Sequence, residues 1–162
     1  MTQHPNIHRK QWLERLIIEN EFKYGCEIGV HEGVTHFHLL DTCPGLVLVG
    51  VDRYQGVQEQ YFNTFKQGAE KYGIRSRFHR ESSVDASNRY GKGELDFIFI
   101  DADHSYNGVM SDLKAWDIKV RKGGYVTGHD VNLPAVKKAL DDFYGLDNYE
   151  IANHDDVWYV KK

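Results

Sequence analysis

The sequence predicts one α/β domain built on a doubly wound, seven-stranded, mostly parallel sheet with helices on both faces. Three observations predict it. Short apolar runs alternate with amphipathic stretches along the chain, the order that builds a parallel sheet from strand–helix units. Two runs, LVLVGVD at 46–52 and LDFIFID at 95–101, are apolar almost throughout, as strands covered on both faces are. The last two strand-like segments are separated only by the short loop 153–156, so they must run antiparallel to each other.

The elements follow in order. Asn6 is a candidate cap for a first helix reaching Asn20, with Trp12, Leu13, Leu16 and Ile17 as its apolar stripe. Strand one is expected at 24–28 and a helix from about Gly33 to Asp41. A Cys43-Pro44-Gly45 turn then leads into strand two at 46–52. An amphipathic helix at 58–72 is closed by Gly73. Strand three is expected at 76–80, a short helix at 83–90, strand four at 95–101 and a helix at 107–120. Gly123-Gly124 reads as a turn into strand five at 125–129. Leu133 to Tyr144 is the last helix, with Pro134 in its first turn. The closing strands fall at 149–152 and 157–160. Residues 1–22 thus read as an N-terminal helix packing on a domain of residues 23–162.

Composition narrows the function classes. The 162 residues suffice for one well-buried core, and 41% hydrophobic with 27% charged residues is ordinary for a globular domain. The net charge is −4 and no Lys/Arg block is present, so neither a nucleic acid nor an anionic membrane is an expected partner. No apolar run reaches membrane-spanning length, and the start lacks the apolar core of a signal peptide. A cytoplasmic location is expected. Cys26 and Cys43 do not indicate a disulfide framework.

In open α/β sheets, ligands bind beyond the carboxyl ends of the strands. Strand one delivers Glu27, Gly29, Val30, His31 and Gly33 there, in E-x-G-x-x-x-G spacing. Glycine permits a tight turn and close backbone approach to a ligand. His31 stands where the dinucleotide fingerprint needs its second glycine, which disfavours a pyrophosphate cradle. Strand two ends in Asp52, about 25 residues on, where an acid can accept hydrogen bonds from a ribose diol. Ser82 and Ser83 after strand three can meet an adenine edge, cap a helix, or both. Strands four and five end in Asp101-Ala102-Asp103-His104 and Gly128-His129-Asp130. Asp101, His104, His129 and Asp130 are expected to converge as a divalent-cation site or as acid/base groups. Asp103 as a simple helix cap is the structural alternative. His36 and His38 read as helix-surface or satisfied core residues, and Trp158 and Tyr159 as core.

These segments resemble the class I S-adenosylmethionine-dependent methyltransferases. EIGVHEG, LVGVD, LDFIFIDADHSY and VRKGGYVTGHD match that superfamily's motifs in order and spacing. The run IDADHSYNGVMSDLKAW is similar to the small methyltransferase family labelled by number twenty-four, related to catechol, caffeoyl-CoA and macrolide-sugar O-methyltransferases. The resemblance implies a Rossmann-like fold and S-adenosylmethionine as cofactor. Glu27 and Gly29 would line its methionine end, Asp52 would hold the ribose, Arg53 or Tyr54 would flank the adenine, and Ser82 and Ser83 would lie near it. It also implies Asp101 as a metal ligand, with His129 and Asp130 where catechol-type enzymes carry an Asp-Asn pair. The cation would be magnesium or manganese.

The expected activity is O-methylation of a small hydroxylated acceptor, a sugar or a phenol. The acceptor site would be open around Tyr54, Tyr106 and Asn132, or completed by another copy in a homo-oligomer. A cofactor-binding module without methyl transfer, or another reaction of the same cofactor, is the alternative.

Overall fold

The computed structural model describes residues 8–152 and 155–162; Asn6 and His154 lie outside them. Seven strands form one sheet in the order β3-β2-β1-β4-β5-β7-β6. They are β1 (Tyr24–Ile28), β2 (Val47–Val51), β3 (Ser76–His79), β4 (Leu95–Ile100), β5 (Val120–Gly128), β6 (Glu150–Ile151) and β7 (Trp158–Lys161). The first five pair in parallel. β7 lies antiparallel between β5 and β6.

Among the described residues, six α-helices flank the sheet: α1 (Arg9–Glu19), α2 (Val34–Thr42), α3 (Glu59–Glu70), α4 (Ser83–Ser87), α5 (Tyr106–Trp116) and α6 (Pro134–Tyr144). The strand order reverses between β1 and β4, which opens a crevice beyond their carboxyl ends.

β4 shows why the sheet is covered twice. Ile98 and Ile100 point into one core layer with Val109, Leu113, Trp116 and Val136. Phe97 and Phe99 point into the other with Leu13, Leu16, Leu39 and Leu48. Alternate side chains of a strand face opposite sides, so an apolar run feeds both layers. Helix α1 belongs to the second layer through Leu13, Leu16 and Ile17, all buried.

Three local expectations change. The Gly123-Gly124 pair lies inside β5 rather than in a turn before it. The β4–β5 register shifts between Leu95 and Phe97, and a Cβ on Gly124 would lie 2.2 Å from the Asp96 carbonyl oxygen. The glycine serves an irregularity in the ladder. Helix α5 stops at Trp116 and a short 3₁₀ turn carries the chain to β5. Ser105, not Asp103, caps α5 by accepting from the Gly108 N–H, while Asp103 accepts from the Ser105 N–H.

Candidate functional site

The carboxyl ends of β1 to β4 and the starts of α4 and α5 border a cleft of about 690 Å³, within the range of small-molecule sites. Gly29, His31, Asp52, Arg53, Ser83, Asp101 and His104 line it, together with Glu81, Asn107, Ser111 and Asp112.

The β1–α2 loop is held from both sides. Gly29 has φ 89°, and a Cβ there would lie 2.1 Å from the Asp101 carbonyl oxygen. Only glycine lets the β1 and β4 ends approach this closely. Asp52 grips the loop from β2: its Oδ2 accepts from the Val30 and His31 N–H groups at 3.0 Å each. Its Oδ1 accepts from the Tyr54 N–H at 2.9 Å, leaving capacity for a ligand hydroxyl. His31, Tyr54 and Asp130 all have positive φ, a conformation that costs ordinary residues about 1–2 kcal/mol. They stand just beyond the ends of β1, β2 and β5.

Several expected cofactor residues do not reach the cleft wall. Val30 is buried with Tyr54 and Phe65, and its carbonyl accepts from the Gly33 N–H. Gly33 starts α2 in the left-handed region, its missing side chain leaving room for Phe37 and Phe65. Ser82 is the α4 cap, accepting from the Asp85 N–H. Tyr54 is buried and its hydroxyl donates to the His31 carbonyl. It props the loop from beneath and cannot wall an open acceptor site.

Glu27 is the largest departure. It is 3% exposed and faces inward, with Oε2 3.2 Å from Nδ1 of the fully buried His36. Burial first, and the nearby Asp101 charge second, push its carboxyl well above the usual range. Burial pushes His36 down to about 3. Both therefore favour their neutral forms, and His36 Nε2 meets Ser76 Oγ at 3.0 Å. The pair sits beneath the cofactor loop instead of lining it.

At the other end of the cleft, Asp101, His104 and Asp130 bring ligand atoms within 4.8 Å of one another. His104 Nε2 lies 2.9 Å from Asp130 Oδ2 and 3.5 Å from Asp101 Oδ1. His129, expected as a ligand, lies behind this group. Its Nδ1 is 3.1 Å from Asp130 and 3.9 Å from Asp101, and its buried Nε2 has no hydrogen-bond partner among the described residues. The half-exposed imidazole that meets the cleft is therefore His104. Two carboxylates and one imidazole suit a divalent cation. The same imidazole, held by carboxylates at an open cleft, is also placed to exchange a proton with a bound molecule.

Two contributors escape sequence reasoning. Arg9 of α1 places its guanidinium 3.7 Å from Asp101 Oδ2, and its backbone N–H donates to Asp155 Oδ2. No local pattern couples residues so distant in sequence. Asp112 is 5% exposed and borders the cleft. Its signal was visible: an acid amid Val109, Leu113 and Trp116 on the inward face of a helix.

Known proteins supply the last observation. The family model described as "Methyltransferase domain" matches residues 26–131. Among solved structures, a Staphylococcus aureus protein provisionally assigned as a caffeoyl-CoA O-methyltransferase is 17% identical with a TM-score of 0.77, covering 98% of this chain and 86% of that one. A TDP-rhamnose 3′-O-methyltransferase of calicheamicin biosynthesis is 16% identical with a TM-score of 0.74, covering 95% and 80%. A Bacillus cereus O-methyltransferase, solved with S-adenosylhomocysteine (SAH), is 17% identical with a TM-score of 0.69, again covering 95% and 80%. At these identities the structural likeness is one of fold. The family model spans most of the chain, and its two ends enclose the cofactor loop, Asp52, the cleft and the Asp101–His104–Asp130 group; the chain belongs to the class I S-adenosylmethionine-dependent methyltransferases, in the family of this methyltransferase domain.

Proposed function

We propose that the protein transfers the methyl group of S-adenosylmethionine to a hydroxyl of a small acceptor, a sugar or a phenol. One observation carries this reading. A single cleft runs from the Asp52 carboxylate to Asp101 and His104, which cluster with Asp130. The relatives named as O-methyltransferases, one acting on a sugar nucleotide, support it.

The residues fit the cofactor. Gly29 exposes backbone at the cleft wall, Asp52 has a free acceptor position, and the volume suits a nucleoside with an amino-acid arm. When bound, S-adenosylmethionine supplies an electrophilic methyl group on sulfur. The protein's part is to hold the acceptor oxygen in line with it, and positioning of this kind accounts for much of such catalysis.

His104 takes the acceptor's proton, and Asp130 and Asp101, 2.9 and 3.5 Å from its Nε2, orient the ring. A divalent cation, magnesium or manganese, also fits at Asp101, His104 and Asp130, where it would lower the hydroxyl pKa. In that state His104 would be a ligand rather than the base. The acceptor would sit beside Asp101 and His104, and a second copy of the chain is the partner that would close the site.

Calorimetric titration with S-adenosylmethionine, with and without magnesium or manganese, tests the first half. Absence of binding in every condition rules the proposal out. Formation of SAH with sugar and phenol acceptors tests the second half. Asp130→Ala is expected to lower transfer at least ~100-fold while leaving cofactor affinity within a few-fold. Equal loss of both would contradict the division between cofactor loop and reactive cluster. Cofactor binding with no turnover on any acceptor would favour a binding module instead.

A further inference from the structure

Asp112 is a buried acid that the transfer chemistry does not use. It sits on α5, surrounded by the apolar side chains that pack this helix on the sheet. Among the described residues it forms no salt bridge with Lys or Arg. Among the described residues, the neighbouring Ser83 hydroxyl and the Arg53 charge are what lower its carboxyl pKa. The Ser83 oxygen already accepts from the Trp116 indole N–H at 2.8 Å, so its own hydroxyl proton is the one free to reach Asp112. A carboxylate has about four lone-pair positions. Asp112 itself borders the cleft, so the remaining positions are within reach of a group bound there. Burial pushes this carboxyl up to about 6, the signature of an acid in want of donors.

The cleft fixes what arrives there. This argument rests on the cofactor reading above. If the ribose diol meets Asp52, the methyl-bearing arm must point to Asp101 and His104. The base then leaves the ribose on the far side, toward Ser83, Val84, Ser111 and Asp112. We propose that Asp112 reads the exocyclic amino group of the cofactor's purine, accepting a hydrogen bond from it while Ser83 holds the carboxylate in place. An ionised carboxylate only accepts. It therefore favours an amino group at that edge and repels a carbonyl oxygen. Asp112 is thus a specificity-determining residue for the base, at the opposite end of the cleft from the reacting atoms.

The test compares SAH with S-inosylhomocysteine, in which an oxo group replaces the amino group. Affinities are measured by calorimetry at pH 8 for the native protein, Asp112→Asn and Asp112→Leu. The native protein is expected to prefer the adenosyl compound by about 10- to 100-fold, the worth of one hydrogen bond to a charged group. Asp112→Leu should bind it about 10- to 100-fold more weakly and lose the preference. Asp112→Asn, whose amide offers both a donor and an acceptor, should bind both compounds with near-equal affinity. Its near-identical shape supplies the answer should the leucine variant fail to fold. An unchanged adenosyl-to-inosyl ratio in the asparagine variant, or no preference in the native protein, overturns the assignment of Asp112. Failure of the native protein to bind either compound overturns the cofactor reading on which it rests.

Discussion

His104 and His129 are neighbours of the same two aspartates, yet their surroundings separate them. His104 opens on the cleft, whereas His129 is nine-tenths buried and its carbonyl is tied to the Trp158 indole. Without added cation, His104→Ala is expected to lower kcat by about 10²- to 10⁴-fold with little change in cofactor affinity. His129→Ala should act mainly on stability. A reversed order of kcat losses in single-turnover assays would move the base to His129. Asp112 makes a second residue-scale prediction. Its carboxyl rises from 3.8 in the unfolded chain to about 6 when folded. The folded state therefore favours the protonated form, and this contribution to stability is full below about pH 4 and lost as pH rises through 6. Two pH units correspond to roughly 3 kcal/mol. Asp112→Asn should match the native Tm near pH 4 and exceed it at pH 7.5, in unfolding without ligand. A pH-independent difference between the two proteins would show that burial is not what lifts this carboxyl.

At the scale of elements, the β1–α2 loop was legible as a ligand loop but its internal wiring was not. Spacing placed Glu27, Gly29 and Gly33 at a strand end. It could not show that Glu27 turns inward to His36, because that depends on which face of β1 α2 covers. Nor could it show that Asp52 holds the loop through two backbone N–H groups, those of Val30 and His31. The motif carries two roles: Gly33 and Val30 build the turn, while Gly29 and His31 meet the cleft. Gly29→Ala tests the distinction. The added methyl would sit 2.1 Å from the Asp101 carbonyl oxygen at φ 89°, so the β1 and β4 ends must part. A loss of about 2–4 kcal/mol in stability and of most cofactor affinity is expected, by chemical denaturation and calorimetry. Retained affinity at reduced stability would assign Gly29 a purely structural role. Arg9 belongs to this scale as well. Its helix was readable from its apolar stripe, but the partnership with Asp101 and Asp155 appears only once α1 is packed.

For the whole molecule, the doubly wound, mostly parallel sheet was legible because strand hydrophobicity reports burial on two faces. The irregular start of β5 was not, since it depends on the Asp96 backbone that Gly124 must clear. The cleft lies beyond the carboxyl ends of β1 to β4, while the cores that fix those strands lie below it. Stability and ligand binding should therefore respond to different substitutions. Phe97 provides the case. Its ring is fully buried in the layer with α1 and α2, and it fills the space where Gly25 has no side chain. Phe97→Ala leaves a cavity at mid-strand, and losses of about 3–5 kcal/mol are usual for such a change. For a chain of this length that is a fall in Tm on the order of 10 °C. Phe97 does not line the cleft, so the folded fraction should bind SAH with native affinity. Saturating ligand should then raise the Tm of native and variant proteins by similar amounts, because ligand at about 100 times its Kd adds ~2.7 kcal/mol to any state that retains the site. Were the variant to lose that ligand-induced shift while still folded, the β1–β4 crevice would have to be coupled to the α1/α2 layer, and the fold would not be the rigid platform that two separately packed faces imply.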